Sequence, residues 1–350
     1  MRVLLLSAYE AVSHRYWANS LMAELTDVEW TLLSLPPRHF AWRIRGNPLS
    51  WWLKEYATLS QRFDVVLATS MVDMATLVGL FPHLGQARKI VYFHENQFAY
   101  PESSEQVPQV EAKMVNLYAA LAADTLVFNT AYNRDSFFTG VRQFLKKMPE
   151  NLPAAAPLER LRRSANVLPV PLQPLAQGPD VAPPPRRIVW NHRWEYDKNP
   201  EDFFAVLFRL SEEGVPFELA VMGQRFRDEP AIFAEAQVRL AQHLVCWGPQ
   251  PEEQYQALLN GGGIVVSTTW HEFQGLAIME AAQRGAWPLV PDRLCFPELY
   301  PDAYRYDGTR EGLYQRLAAW LQGTVAAPER LDTSPWEWPQ WREAYRQLLD

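Results

Sequence analysis

The chain opens with a short continuous apolar run at residues 3–6. Similar runs recur at 30–33, 65–68, 90–93 and 125–128. Each is brief, continuous and rich in β-branched or aromatic residues, the pattern of a strand buried on both faces. Between them, residues 109–123 and 133–146 carry the spacing of amphipathic helices. Strands alternating with helices predict a parallel sheet covered by helices. The pattern then breaks at 169–185, where seven of 17 residues are proline. Proline fixes φ and lacks a donor, so a linker is predicted there. Alternation restarts with strands predicted at 187–191, 217–222, 244–247, 264–267 and 287–290. The helices fall at 201–212, 231–243, 252–260 and 275–284. Trp336, Trp338 and Trp341 then precede a final helix expected over 342–349. The predicted organisation is a domain at 1–168, a linker at 169–185, a second domain at 186–333 and a tail at 334–350 that returns to the first domain.

Composition adds exclusions. A chain of 350 residues with 48% hydrophobic and 21% charged residues exceeds one average domain and is not intrinsically disordered. Two cysteines, Cys246 and Cys295, cannot build a disulfide framework or a four-thiolate metal site. They suit a reducing compartment, so a cytoplasmic protein is expected. The apolar runs are too short to span a bilayer, and the first is too short for a signal-peptide core. The net charge of −7 argues against a general nucleic-acid coat. That charge is uneven, because residues 1–185 carry 17 Lys and Arg against 16 Asp and Glu. Residues 31–54 hold Arg38, Arg43, Arg45 and Lys54 with no acid, and residues 134–163 hold seven basic residues against three acids. A solvated face is the ordinary reading of such clusters.

Candidate chemistry concentrates at strand ends. His271-Glu272-Phe273-Gln274-Gly275-Leu276 leads from a predicted strand into a helix that carries Glu280. Gly275 would let backbone approach a ligand at a helix start, where free N–H groups favour phosphate, with a carboxylate at either end to accept sugar hydroxyls. The ordinary alternative is a capping glutamate and a stray surface one. Arg193 and Lys198 follow the first strand after the linker and could neutralise a diphosphate leaving group. Alternatively, Arg193 pairs Glu195 and Lys198 pairs Asp197 in a surface cluster. The first loop, 7–14, has no glycine, so a GxGxxG dinucleotide site is excluded, and His14 would point into the ligand region. His94 and Glu95 at another strand end suit a hydroxyl donor or base with its orienting carboxylate. Zinc would need a third ligand, and no HExxH or CxxC accompanies the pair, so no metal site is expected. In residues 36–52, Arg38, Trp42, Arg43 and Arg45 interleave cations with aromatics, as phosphate contacts and base stacking require. A lid packed on its domain is the alternative.

As a set, the motifs YFHENQFAYP, VFNTAYNRDSF, HRWEYDKNPEDFF and HEFQGLAIMEA resemble the tRNA-queuosine α-mannosyltransferases. These are retaining enzymes of the GT-B, family 4 type, and the likeness runs over about residues 3–345. It implies an α/β fold of two doubly wound Rossmann-like domains facing a central cleft. It implies transfer of mannose from GDP-mannose to queuosine in a tRNA such as tRNA-Asp, with no cofactor, metal, membrane or DNA. Carried over, His94, Arg193, Lys198 and Glu272 would be catalytic. Gly223, Trp247, Gly248, Phe273, Gln274, Gly275, Leu276 and Glu280 would bind the donor. His14, Arg38, Trp42, Arg43, Arg45, Glu95, Asn96 and Asn129 would face the acceptor. No carboxylate pair is obviously placed for the double displacement of retaining hydrolases, so same-face attack is expected. Two alternatives stay open: the same chemistry on a glycan, lipid or metabolite, and a non-catalytic RNA- or nucleotide-binding protein.

Overall fold

A computed structural model describes residues 1–100, 110–148, 155–175, 186–225, 229–260 and 262–350. The chain forms two compact units, Met1–Gln173 with Trp336–Asp350, and Pro174–Pro335.

The first unit is built on six parallel strands: β1 (Arg2–Ser7), β2 (Glu29–Ser34), β3 (Val65–Thr69), β4 (Arg88–Phe93), β5 (Thr125–Phe128) and β6 (Asn166–Val167). Their order is β2-β1-β3-β4-β5-β6. Every residue of β3 is buried, as continuous apolar runs require when helices cover both faces. The helix Phe40–Lys54 contains Pro48, which has no N–H for the carbonyl of Ile44. Asn47 Nδ2 donates to that carbonyl at 2.9 Å and to Met71 O at 3.2 Å, so the helix continues. Helix Ala131–Leu145 starts two residues earlier than its periodicity predicts, because the Thr130 side chain caps it from Asn133 N.

The tail belongs to this unit. Leu172 donates to Trp336 O at 2.8 Å and accepts from Trp338 N at 3.0 Å. The last helix runs Trp338–Leu349, starting four residues before the predicted 342. Pro339 is tolerated in a first turn, so the helix takes in Trp341 as well. Buried Tyr345 accepts from Trp17 Nε1 at 3.1 Å and donates to Pro169 O at 2.9 Å. The first unit therefore reaches Gln173 rather than 168, and residues 176–185 of the expected linker lie outside the described residues.

The second unit has β7 (Arg187–Trp190), β8 (Glu218–Val221), β9 (Leu244–Trp247), β10 (Ile264–Val266), β11 (Trp287–Pro291) and β12 (Arg305–Tyr306). All are parallel, in the order β12-β11-β10-β7-β8-β9. An aromatic core of Trp190, Trp194, Phe203, Phe204 and Phe233 fills one side. The two-residue strands β6 and β12 were not anticipated, since two residues carry no readable period.

Candidate active site

In an open parallel sheet, ligands bind beyond the carboxyl ends of strands where the strand order reverses. In the second unit that reversal lies between β7 and β10, which are hydrogen-bonded neighbours. Two loops therefore emerge side by side, residues 191–199 and 267–275. Trp270 N donates to Asp197 O at 2.8 Å, and Thr268 Oγ1 lies 2.9 and 2.8 Å from the carbonyls of Lys198 and Asn199. Arg293 braces the second loop by donating to the carbonyls of Thr268 and Thr269. Gly223 closes the adjacent turn. A Cβ there would lie 1.9 Å from His192 O, so no side chain fits.

Lys198 and Glu272 meet in this corner. The buried ammonium donates to His271 O at 2.8 Å and to Glu272 Oε2 at 3.2 Å, and lies 3.4 Å from Asp197 Oδ2. Burial opposes its charge, but Glu272 and Asp197 outweigh burial and raise its pKa. Burial likewise opposes the charge on Glu272, yet Lys198 and His192 hold its carboxyl down to about 2. The other oxygen of Glu272 accepts from Phe273 N at 3.1 Å and Gly275 N at 3.0 Å. Gly275, at φ +79°, precedes the helix Leu276–Gln283. The capping alternative is thus present, but its carboxylate is also the lysine's partner. Exposed Arg193 pairs Glu195 at 2.7 Å, so both pairings of the surface-cluster alternative occur, with Lys198 buried rather than at the surface. Further along the helix, Glu280 accepts from Tyr255 Oη at 3.2 Å, and Tyr255 accepts from Asn191 Nδ2 at 3.2 Å. Burial pushes the Glu280 carboxyl up.

A second cluster lies in the first unit, at the ends of β1 and β4. His14 Nδ1 is 2.7 Å from Tyr9 O and Nε2 is 3.0 Å from Glu95 Oε2. A carbonyl and a carboxylate oxygen at the two ring nitrogens favour the doubly protonated ring. Burial works against that charge, and Glu95 more than restores it. His94 stacks beside it, with ring centroids 4.2 Å apart. Burial first, and His14 second, hold His94 neutral. Both His94 ring nitrogens are buried without a hydrogen-bond partner. Buried polar atoms ordinarily have partners, so this ring is an exception in the first unit.

The remaining expected residues divide. Asn96 and Asn129 are buried and used by the protein itself. Asn96 donates to Asn133 Oδ1 at 2.8 Å and Asn129 to His94 O at 2.8 Å, an amide ladder that shapes the turn carrying His94. Trp247 packs edge-on against Trp194 at 5.2 Å, so its ring contributes to the core. Gly248, at φ +97°, bonds Val221 O at 2.8 Å. Phe273 and Gln274 are buried, the first against His271 at 4.8 Å, and Leu276 is half-buried. Arg45 pairs Asp73 at 2.6 Å, while Arg38 and Trp42 are exposed and Arg43 is half-buried. Sequence reasoning gave no role to His192, His271, Asn191 or Tyr255, and took Asp197 only as a surface partner of Lys198. His192, Asp197 and His271 lie in the motifs quoted above and Asn191 immediately precedes one; Tyr255 sits on an ordinary helical pattern without a signal. Burial, then Lys198, lower His192 to about 4, so it is neutral beside the ion pair. Among the described residues, no group of three or more His, Cys, Asp or Glu is placed to hold a metal, and no helix is long and apolar enough to cross a membrane.

Residues 2–172 match the family profile described as tRNA-queuosine alpha-mannosyltransferase N-terminal. The chain is 32% identical over 329 residues to the tRNA-queuosine alpha-mannosyltransferase of Drosophila melanogaster, covering 90% of this chain and 85% of the relative. Among solved structures, sucrose-phosphate synthase from Thermosynechococcus elongatus superposes with a TM-score of 0.65 at 12% identity, over 99% of each chain. The catalytic domain of starch synthase IV from Arabidopsis thaliana, bound to ADP and acarbose, gives 0.66 at 10% identity, over 99% of this chain and 98% of that one. At these identities the structures speak for the fold alone, that of GT-B glycosyltransferases with two Rossmann-like domains.

Proposed function

This chain belongs to the tRNA-queuosine alpha-mannosyltransferase family, and from that premise we propose that it moves mannose from GDP-mannose, with retention, onto queuosine in a tRNA such as tRNA-Asp. The cytoplasmic location expected from its two cysteines is part of the same proposal. The observation that carries the reading is the buried Lys198–Glu272 pair beside Gly275, at the sheet's reversal point.

Breaking the anomeric C–O bond builds positive charge on the sugar and negative charge on the departing phosphate. Arg193, which is exposed, and the helix start after Gly275 supply fixed positive potential for the phosphate. The three N–H bonds of Lys198 already face three oxygens, so a phosphate reaching it takes over one of those contacts. A carboxyl at about 2 stays ionised near neutral pH, so Glu272 suits hydroxyl binding better than proton transfer. Glu280 is read as the partner of the donor ribose, oriented by Tyr255. The departing phosphate oxygen then takes the proton of the attacking hydroxyl. The new C–O bond forms on the face from which the nucleoside diphosphate leaves. The unpartnered ring of His94 is read as a hydrogen-bond partner of the sugar.

The test is incubation of the pure protein with queuosine-containing tRNA and a panel of nucleotide sugars, followed by nucleoside mass spectrometry. A one-hexose gain on queuosine with GDP-mannose is expected. The same gain from another nucleotide sugar would replace the donor. No gain, with GDP-mannose still raising the melting temperature, would discard the tRNA acceptor and keep the transferase.

A further inference from the structure

The outer face of the helix Phe40–Lys54 plays no part in either cluster. Its inner face buries Ile44, Asn47, Pro48 and Trp51. Trp42, Arg45, Leu49 and Trp52 follow one another at spacings of three and four on the other side, and Tyr56 begins the next short helix. A helix face turned to water is ordinarily polar. Here Trp42 is 53% exposed, Leu49 46%, Trp52 42% and Tyr56 57%. The rings of Trp52 and Tyr56 meet edge to face at 6.1 Å, so the stripe is continuous across the helix break. Trp42 is deliberately seated. A Cβ on Gly46 would lie 2.5 Å from its indole, so the ring rests on the glycine and turns its other side to solvent.

The stripe is also placed and charged. Phe40, at the helix start, packs edge-on against Tyr9 at 5.6 Å, and Tyr9 O is the acceptor of His14. The helix that carries the stripe therefore begins next to the His14–Glu95–His94 cluster, and its 15 residues extend for about 20 Å at the ordinary helical rise. Residues 31–54 supply Arg38, Arg43, Arg45 and Lys54 and no acid. Arg45 is paired to Asp73 yet stays half exposed on the stripe, Arg38 is exposed just before the helix, and Arg43 and Lys54 lie round toward the face of Asn47 and Trp51.

We infer that this stripe is a stacking track for single-stranded RNA. Unpaired bases lie on Trp42, Trp52 and Tyr56, and phosphates are met by Arg38 and Arg45. The inference deepens the proposed tRNA acceptor and rests on it. Aromatic faces interleaved with cations suit bases and phosphates together. A second copy of the chain would set these cations against themselves across a two-fold axis. Leu49 and Leu53 (66% exposed) are the aliphatic members beside three aromatic rings, so a bilayer is the competing occupant that the vesicle experiment below addresses.

The test compares wild type, Trp52→Ala, Gly46→Ala and, as a control in the second unit, the exposed Val238→Ala. The readouts are KM for queuosine-containing tRNA, KM for GDP-mannose, tRNA binding by fluorescence anisotropy, and melting temperature. Trp52→Ala should raise the tRNA KM and weaken tRNA binding by about five- to a hundredfold, the range for one lost base–aromatic stack. GDP-mannose KM should not move. Gly46→Ala should weaken tRNA binding in the same direction while the melting temperature holds or rises, since alanine favours a helix interior more than glycine. Val238→Ala should change nothing. A wild type that modifies tRNA, with both stripe variants matching it in tRNA KM and binding, overturns the track. Vesicle co-sedimentation and sedimentation velocity would then decide between a membrane and a second copy. A wild type that modifies no tRNA fails the proposed reaction instead, and the anisotropy comparison still decides the track.

Discussion

Lys198 shows what a single residue does in this protein. An ammonium 6% exposed persists because three oxygens surround it, one of them on a carboxylate held at about 2. Replacing it by methionine removes the cation and strands two carboxylates, Asp197 and Glu272. Turnover should fall about a hundredfold or more, as when one transition-state donor is lost. Stability at pH 7 should fall by about 3 kcal/mol, the order for breaking a buried pair. The pH dependence has a definite sign. The pKa of Glu272 is depressed below its ordinary 4.5. Its pairing therefore stabilises the fold fully above that pH and is lost as the pH falls toward about 2. In the variant the largest lowering influence on this carboxyl is gone, so burial weighs more and it protonates earlier. Urea melts at pH 7 and pH 4 should show the gap between wild type and Lys198→Met narrowing at the lower pH. An unchanged gap would mean that the pair does not hold the site. The residue types were legible in the sequence, because Arg193, Lys198, Glu272 and Glu280 flank strand ends. Asp197 was legible only as a surface partner of Lys198 and His271 had no role, since adjacency in the chain does not say which side chains are buried together.

At the scale of the element, Asn47 and Pro48 are the instructive pair. Proline in a helix interior ordinarily ends it. Here the neighbouring amide donates to the orphaned Ile44 carbonyl and also to Met71 O, while its oxygen accepts from Asp73 N at 3.2 Å. Asn47→Ala should cost about 2–3 kcal/mol, because buried acceptors are left without partners. Urea denaturation measures this, and a loss below about 0.5 kcal/mol would show that solvent replaces the amide. Such a helix is hard to foresee, since the proline is plain in the sequence and its repair depends on a side-chain rotamer. The long strands were readable because β1, β3 and β4 are continuous apolar runs buried by helices on both faces. Asn166–Val167 and Arg305–Tyr306 were not, because a two-residue strand exists through its neighbour rather than through a pattern of its own.

At the scale of the molecule, the tail is the telling case. Trp338, Tyr345, Leu348 and Leu349 are buried in the first unit, and Arg342 pairs Glu24 at 2.9 Å. Full burial of four such side chains is worth roughly 6–12 kcal/mol at the usual 1.5–3 kcal/mol each, a large part of the stability of one domain. A chain ending at Pro335 should lose the calorimetric transition of the first unit and keep that of the second. Two intact transitions would mean that the tail is an accessory. The sequence by itself determined the alternation of strands and helices, the break at the prolines, and the residue types gathered at strand ends. Each of these is written in neighbours a few positions apart, where burial and backbone preference act directly. Only the tertiary structure decided that Lys198 meets Glu272 across 74 residues and His14 meets Glu95 across 81. It also decided that Asn96 and Asn129 serve the fold. Those outcomes depend on which strands lie side by side. Strand order is set by the packing of the whole sheet and leaves no periodic trace along the chain.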